Sequence, residues 1–227
     1  MKIDKFVFDF LRDLRLNNNR EWFKANKHRY DEARSAFEQF TADFIRLAAS
    51  IDPEVGAPAP KECMFRIYRD VRFSHDKQPY KTDFCCGISR KGKNGPAPKY
   101  FFSIEPDNTF FASGRYCLEP EELKKVRREI CNFPEELLAA VESERFKKRM
   151  YLWDNRLKNI PKGFDTDFVG AEYLKYKSLS PIVDYTEEEC QAADFEAKLR
   201  NDIETAMPLN RFLKQALDAP EEEKYDF

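Results

Sequence analysis

The sequence predicts an α+β protein on three grounds: helical periodicity at both ends, a central run of short alternating segments, and an excess of rings over glycine. With 21 phenylalanines against seven glycines in 227 residues, the core is expected to be built from aromatic side chains. A glycine-rich nucleotide-binding fold is correspondingly disfavoured. The length suffices for one large domain with its own core, and the chain is read as a single domain over residues 1–227.

Residues 4–16, DKFVFDFLRDLRL, place Phe6, Phe10, Leu11 and Leu14 at helical spacing behind Asp4, and the asparagines at 17–19 end the pattern. From Arg20 onward Trp22, Tyr30, Phe37, Phe40, Phe44 and Leu47 recur at threes, fours and sevens, which predicts one long amphipathic helix to about Ser50. Pro53, Pro58 and Pro60 stop it. In MFRIYRDVRFS the apolar Phe65, Ile67, Val71 and Phe73 alternate with Arg66, Tyr68, Asp70 and Arg72, the period of a strand. TDFCCGISR at 82–90 reads as a second strand, and two aromatic runs around EPDN read as a hairpin. The loop KGKNGPAP at 91–98 is expected to be exposed and mobile.

After Pro120 the helical pattern returns in PEELKKVRREIC, where acids precede bases in agreement with the helix dipole, and in FPEELLAAVES, which again opens with proline and acids. FVGAEYLKYK reads as a short helix, SLSPIVDY as a last strand interrupted by Pro181, and 186–217 as helix divided by Pro208. The expected architecture is a central antiparallel sheet of about four or five strands, from roughly residues 63–115 and 178–184, packed with N-terminal and C-terminal helices.

Charged residues are 35% of the chain but nearly cancel, with a net charge of −2 and a pI near 5.9. Wholesale attraction to nucleic acid or to an anionic membrane is not implied. Asp4, Asp9 and Asp13 interrupt the apolar pattern of the first residues, unlike a signal peptide, and no apolar run is long enough for an ordinary membrane span. The six cysteines contain no CxxC spacing and only His28 and His75 accompany them, so neither a metal nor a cofactor is expected. Free thiols in the reducing cytoplasm are the expectation.

The block most suggestive of chemistry is RIYRDVRFSHDKQPYKTDF, 66–84, which gathers Arg66, Arg69, Arg72, Lys77 and Lys81 around Asp70, Asp76 and Asp83. Guanidinium forks bind phosphate or carboxylate bidentately, lysine adds a point charge, and Tyr80 or Thr82 offers a neutral hydroxyl. In that reading Arg66, Arg69, Arg72, Lys77, Tyr80 and Lys81 hold a small anion, while Asp70 or Asp76 orients an arginine or acts as general base. The plainer reading is a solvated strand face with exposed ion pairs, each worth about 0–1 kcal/mol. Arg69 falls on the apolar face of the predicted strand and so needs a partner, for which Glu105 is a candidate.

A second cluster, NNNREWFKANKHRYDEAR, offers either an anion site at a helix N-terminus or an ordinary asparagine cap with Trp22 in the core. Cys85 and Cys86, adjacent on a strand, read as packed residues facing opposite ways rather than as a nucleophile. The aromatic hairpin is read as core rather than as a base-stacking platform. No phosphate-binding loop, dinucleotide fingerprint, serine elbow or zinc-protease helix is present.

In NNNREWFKANKHRYDEAR, FRIYRDVRFSHDKQPYKTDF, YFFSIEPDNTFFASGRY and LKNIPKGFD the chain resembles the successive signature blocks of a widespread, mainly bacterial family, domain of unknown function 2461. The resemblance implies one full-length domain and no particular reaction. It places Arg66, Arg69, Asp70, Arg72, Asp76, Lys77, Tyr80 and Lys81 at the polar core of the signature. Asp83 stands where the resemblance implies histidine, and Cys85 and Cys86 stand where it implies smaller residues. The function expected is a cytoplasmic protein binding a phosphate- or carboxylate-bearing ligand, with hydrolysis or transfer as the chemistry if there is any. The rival is a non-catalytic module whose cations meet an acidic protein or a nucleic-acid backbone.

Overall fold

The computed structural model describes residues 1–95 and 99–220. Five strands form one antiparallel sheet: β1 Phe84–Ile88, β2 Tyr100–Ile104, β3 Thr109–Ala112, β4 Tyr151–Leu152 and β5 Pro181–Tyr185, in the order β1-β2-β3-β5-β4. Among the described residues nine helices accompany it. Four precede the sheet, α1 Lys5–Leu16, α2 Arg20–Ala25, α3 Lys27–Ile51 and α4 Pro60–Cys63; three follow β3, α5 Pro120–Asn132, α6 Pro134–Val141 and α7 Glu144–Arg149; two close the chain, α8 Glu187–Gln191 and α9 Phe195–Asp218. The fold class is α+β, as the pattern predicts.

The pleat sends alternate residues to opposite faces, and the register aligns them: Phe84 with Ile104, Phe102 with Phe111, Phe111 with Val183. The inner face therefore presents Phe84, Cys86, Ile88, Tyr100, Phe102, Ile104, Phe111, Val183 and Tyr185, all buried. Rings of α3 and α9 close on them. Phe37 lies 5.5 Å from Phe84, Phe40 lies 5.1 Å from Phe102, and Phe195 lies 5.9 Å from Phe102. The predicted ring-built core is this layer.

Four local expectations are corrected. The helix predicted from Arg20 to Ser50 breaks at Asn26, whose side chain donates to the Trp22 carbonyl at 3.0 Å and competes with the helical backbone. Pro208 does not divide the last helix: α9 runs through it. An internal proline costs roughly 3 kcal/mol, but burying Leu199, Ile203, Leu209, Phe212 and Leu213 returns about 1.5–3 kcal/mol for each. Pro181 opens β5 rather than interrupting it, and the two-residue β4 pairs with Ile182 and Pro181 at that end.

The fourth correction concerns 65–73. This segment is an irregular ribbon along the free edge of β1, tied by Phe65 N to Cys85 O (2.9 Å), Lys81 N to Ile67 O (2.7 Å) and Arg69 N to Pro79 O (3.0 Å), with bridges at Met64–Cys86 and Tyr68–Tyr80. Pairing stops at Arg69 because two aspartates capture their own local backbone. Asp70 accepts from Arg72 N (3.3 Å) and Asp76 from Gln78 N (3.0 Å), turns that compete with a ladder. Phe73, predicted to face the core, is 96% exposed. In the loop 91–98, residues Gly92–Asn94 make a 3-10 turn against α4, and 96–98 lie outside the described residues.

Candidate functional site

The asparagine triplet is structural throughout. Asn17 closes α1, Asn19 caps α2 by accepting from Trp22 N at 2.9 Å, and Asn18 clamps the ribbon. Its amide accepts from Tyr80 N (3.1 Å) and donates to Tyr80 O (3.0 Å). Tyr80 itself is buried with its ring 4.0 Å from that of Phe23.

The cations of 66–84 separate into two groups. Arg69 donates to Asp76 (2.6 Å) and to Gln78 O (3.2 Å), so its partner is Asp76; Glu105 instead accepts from Thr82 and Asn108. Arg72 grips Asp70 through Nε (2.9 Å) and Nη2 (2.6 Å), and Lys77 donates to Val71 O (3.1 Å). The Arg72 guanidinium holds the Asp70 carboxyl below its usual range, which makes Asp70 an ion-pair partner in solvent and a weak base. These three cations are neutralised or spent within their own loop. Arg66 and Lys81 make no ion pair within 4 Å among the described residues, although the charge of Arg66 also helps to lower Asp70.

Arg66 lines a groove of about 750 Å3 between the ribbon and α3, together with Lys27, Arg34, Lys61 and Lys93; Asp31 is the carboxylate in its lining. Lys27 pairs with Asp31, and Lys61 approaches Glu38 at 3.7 Å. Arg34, like Arg66, has no ion pair among the described residues. The Lys81 ammonium lies 5.4 Å from the centre of the Phe65 ring.

On the outer face of the sheet lies a cleft that the sequence reading missed. Its volume is about 420 Å3, and its walls include Phe65, Phe101, Phe110, Tyr116, Trp153 and Ile182. The pleat explains the floor: Phe101 and Phe110 are the alternates of the core residues Phe102 and Phe111, and their rings stack at 5.8 Å. Phe65 meets Phe101 edge-on at 6.1 Å, and Tyr116 stacks on Trp153 at 4.7 Å. Gly114, at φ 86°, lets the chain leave β3 beside Leu179, whose carbonyl oxygen would stand 2.5 Å from any Cβ there.

Lys99, Ser113 and Ser180 also line the cleft, the Ser113 hydroxyl being spent on Asn210 at 2.8 Å. Lys99, half-buried, donates to Lys93 O at 2.6 Å. Burial pushes its ammonium below the ordinary value of 10.5, and the charge of Arg115 adds to the shift. No carboxylate lines the cleft among the described residues. Ser180, 4% exposed, has a hydroxyl with no hydrogen-bond partner there. A buried hydroxyl left unpaired costs about 1–3 kcal/mol.

The adjacent thiols of β1 are buried and packed. All six thiols are free, and burial pushes Cys86 up to about 12 and raises Cys85 as well. Among the described residues no cluster of three or more His, Cys, Asp or Glu is placed to hold a metal, and no helix is long and apolar enough to cross a membrane.

The family described as conserved hypothetical protein (DUF2461) matches residues 6–212. The chain belongs to that family. The match spans α1 through most of α9, so the ribbon, the groove and the cleft are all parts of the DUF2461 unit. No curated protein and no solved structure matches the chain.

Proposed function

We propose that this DUF2461 protein binds a small anionic ligand with a flat apolar body, the body in the outer-face cleft and the negative charge at its lysine end. The observation that carries the reading is Lys99: a half-buried cation in an aromatic-walled cleft without a carboxylate. A charge in that setting is poorly solvated and unpaired, and an anion entering the cleft supplies what the protein does not. The volume falls within the roughly 300–1,000 Å3 common for small-molecule sites, and the Ser180 hydroxyl offers one directional hydrogen bond.

The anion expected from the sequence is kept in this reading, but its seat moves from the 66–84 loop to the sheet face. Of the loop's cations, Lys81 lies beside Phe65, a residue of the cleft wall. The reading is one of binding, because among the described residues no carboxylate or thiol lines the cleft to act as base or nucleophile.

The test is thermal unfolding and calorimetry of the full chain with aromatic carboxylates and aromatic phosphates, in parallel with Lys99→Met. Stabilisation by flat anions that vanishes in Lys99→Met is the expected result. Equal stabilisation of both proteins, or none of either, overturns the proposal.

A further inference from the structure

We infer that the ligand is a nucleoside phosphate, its ring in the aromatic cleft and its phosphate beyond Phe65 in the basic groove against α3. This rests on the proposal that the cleft is a ligand site, and extends it to a second, contiguous surface.

The two concavities share Phe65 as a common wall. Three of their lining residues crowd over Gly87 on the outer face of β1, where a Cβ would lie 3.4 Å from Lys99 Cδ, 3.6 Å from the Phe65 ring and 3.7 Å from Lys93 Cα. Lys99 lines the cleft, Lys93 lines the groove, and the ammonium of one is bonded to the carbonyl of the other at 2.6 Å. The ammonium groups of Lys81 and Lys93 lie 5.4 and 6.0 Å from the centre of the Phe65 ring. Crossing from the apolar space to the basic one thus means passing a single phenyl ring flanked by lysines.

The groove's charge selects the chemistry of the far end. A lone carboxylate would be satisfied by Lys99 alone, yet beyond Phe65 stand Arg66 and Arg34, each without an ion pair among the described residues. Two guanidiniums and a lysine suit a group with several anionic oxygens, and the fork geometry of arginine matches phosphate. At the near end, phenylalanine, tyrosine and tryptophan rings give a heterocyclic base faces to stack on. A base joined through a sugar to phosphate has both ends in the required order, and this arrangement needs no glycine-rich phosphate loop.

The experiment is calorimetric titration of the full chain with adenosine, guanosine, cytidine and uridine 5′-monophosphates, the parent nucleosides, inorganic phosphate and a short single-stranded oligonucleotide. Wild type, Arg66→Ala and Lys99→Met are compared, with thermal unfolding to establish that each variant is folded. Expected is one nucleotide bound at least about tenfold more tightly than its nucleoside, an advantage lost in Arg66→Ala while nucleoside binding is kept. Equal affinity for nucleotide and nucleoside, or indifference to Arg66→Ala, overturns the nucleotide assignment and leaves the cleft proposal standing if Lys99→Met still weakens binding of flat anions. Preference for the oligonucleotide with a steep salt dependence overturns the assignment in favour of a strand. Binding of none of these, nor of any aromatic carboxylate, overturns both.

Discussion

Ser180 and Lys99 are costly residues in the folded protein, and that cost makes predictions. Removing the unpaired hydroxyl in Ser180→Ala should leave stability unchanged or raise it by up to about 1 kcal/mol, measured by urea denaturation, while weakening ligand binding. A loss of stability would show that the hydroxyl has a partner. For Lys99 the sign follows from its lowered folded-state value. Between that value and 10.5 the unfolded chain holds the proton that the folded one has released, so stability gains with rising pH there relative to Lys99→Met. Below the lowered value the charged lysine weakens the fold by a constant amount. Anion binding should run oppositely, weakening as pH climbs through the folded-state value while Lys99→Met stays flat. Neither residue was legible in the sequence, where Lys99 is one basic residue among 39 and Ser180 belongs to an unremarkable SLSP. Desolvation and lack of a partner are properties of place. The cations that do stand out, Arg69 and Arg72, sit two to seven residues from the aspartates that pair with them.

At the scale of elements, periodicity located the helices and the hairpin because a buried face imposes its spacing on the chain. It failed where a few polar side chains override that spacing. Asn26 interrupts an otherwise continuous apolar stripe, and Asp70 and Asp76 turn a good strand pattern into a loop. It also misjudged the hairpin. Both aromatic alternates were assigned to the core, although a strand has two faces and only one of them meets α3 and α9; the other builds the cleft. Asn18 gives the test at this scale. Its two hydrogen bonds to Tyr80 hold the ribbon's return strand against the start of α2. Asn18→Ala should cost about 1–2 kcal/mol and speed amide hydrogen exchange at Tyr80 and Lys81 first. Unchanged exchange there would show that the core contacts of Tyr80 hold the segment alone.

For the molecule as a whole, a buried polar knot ties the layer of helices to the sheet. Asp202 of α9, fully buried, accepts from Arg149 of α7 at 3.1 Å and from the Tyr185 hydroxyl of β5, over whose ring Arg149 lies at 4.8 Å. Asp202→Ala strands a partly buried guanidinium and should cost about 3 kcal/mol or more in urea denaturation. A smaller loss would mean that solvent reaches Arg149 readily. The ribbon along β1 has a further bearing on behaviour in solution. An open sheet has two flanks, each a template on which a second chain can extend the hydrogen-bonded array. Here one flank is met by Met64 and Phe65 of the same chain, whose continuation folds back on residues 79–81, and the other ends in the two-residue β4, with the charged Asp184 on the stretch of β5 beyond it. The protein is thereby insulated against strand-by-strand polymerisation, and a lesion that frees the ribbon should show first as aggregation rather than as loss of helix.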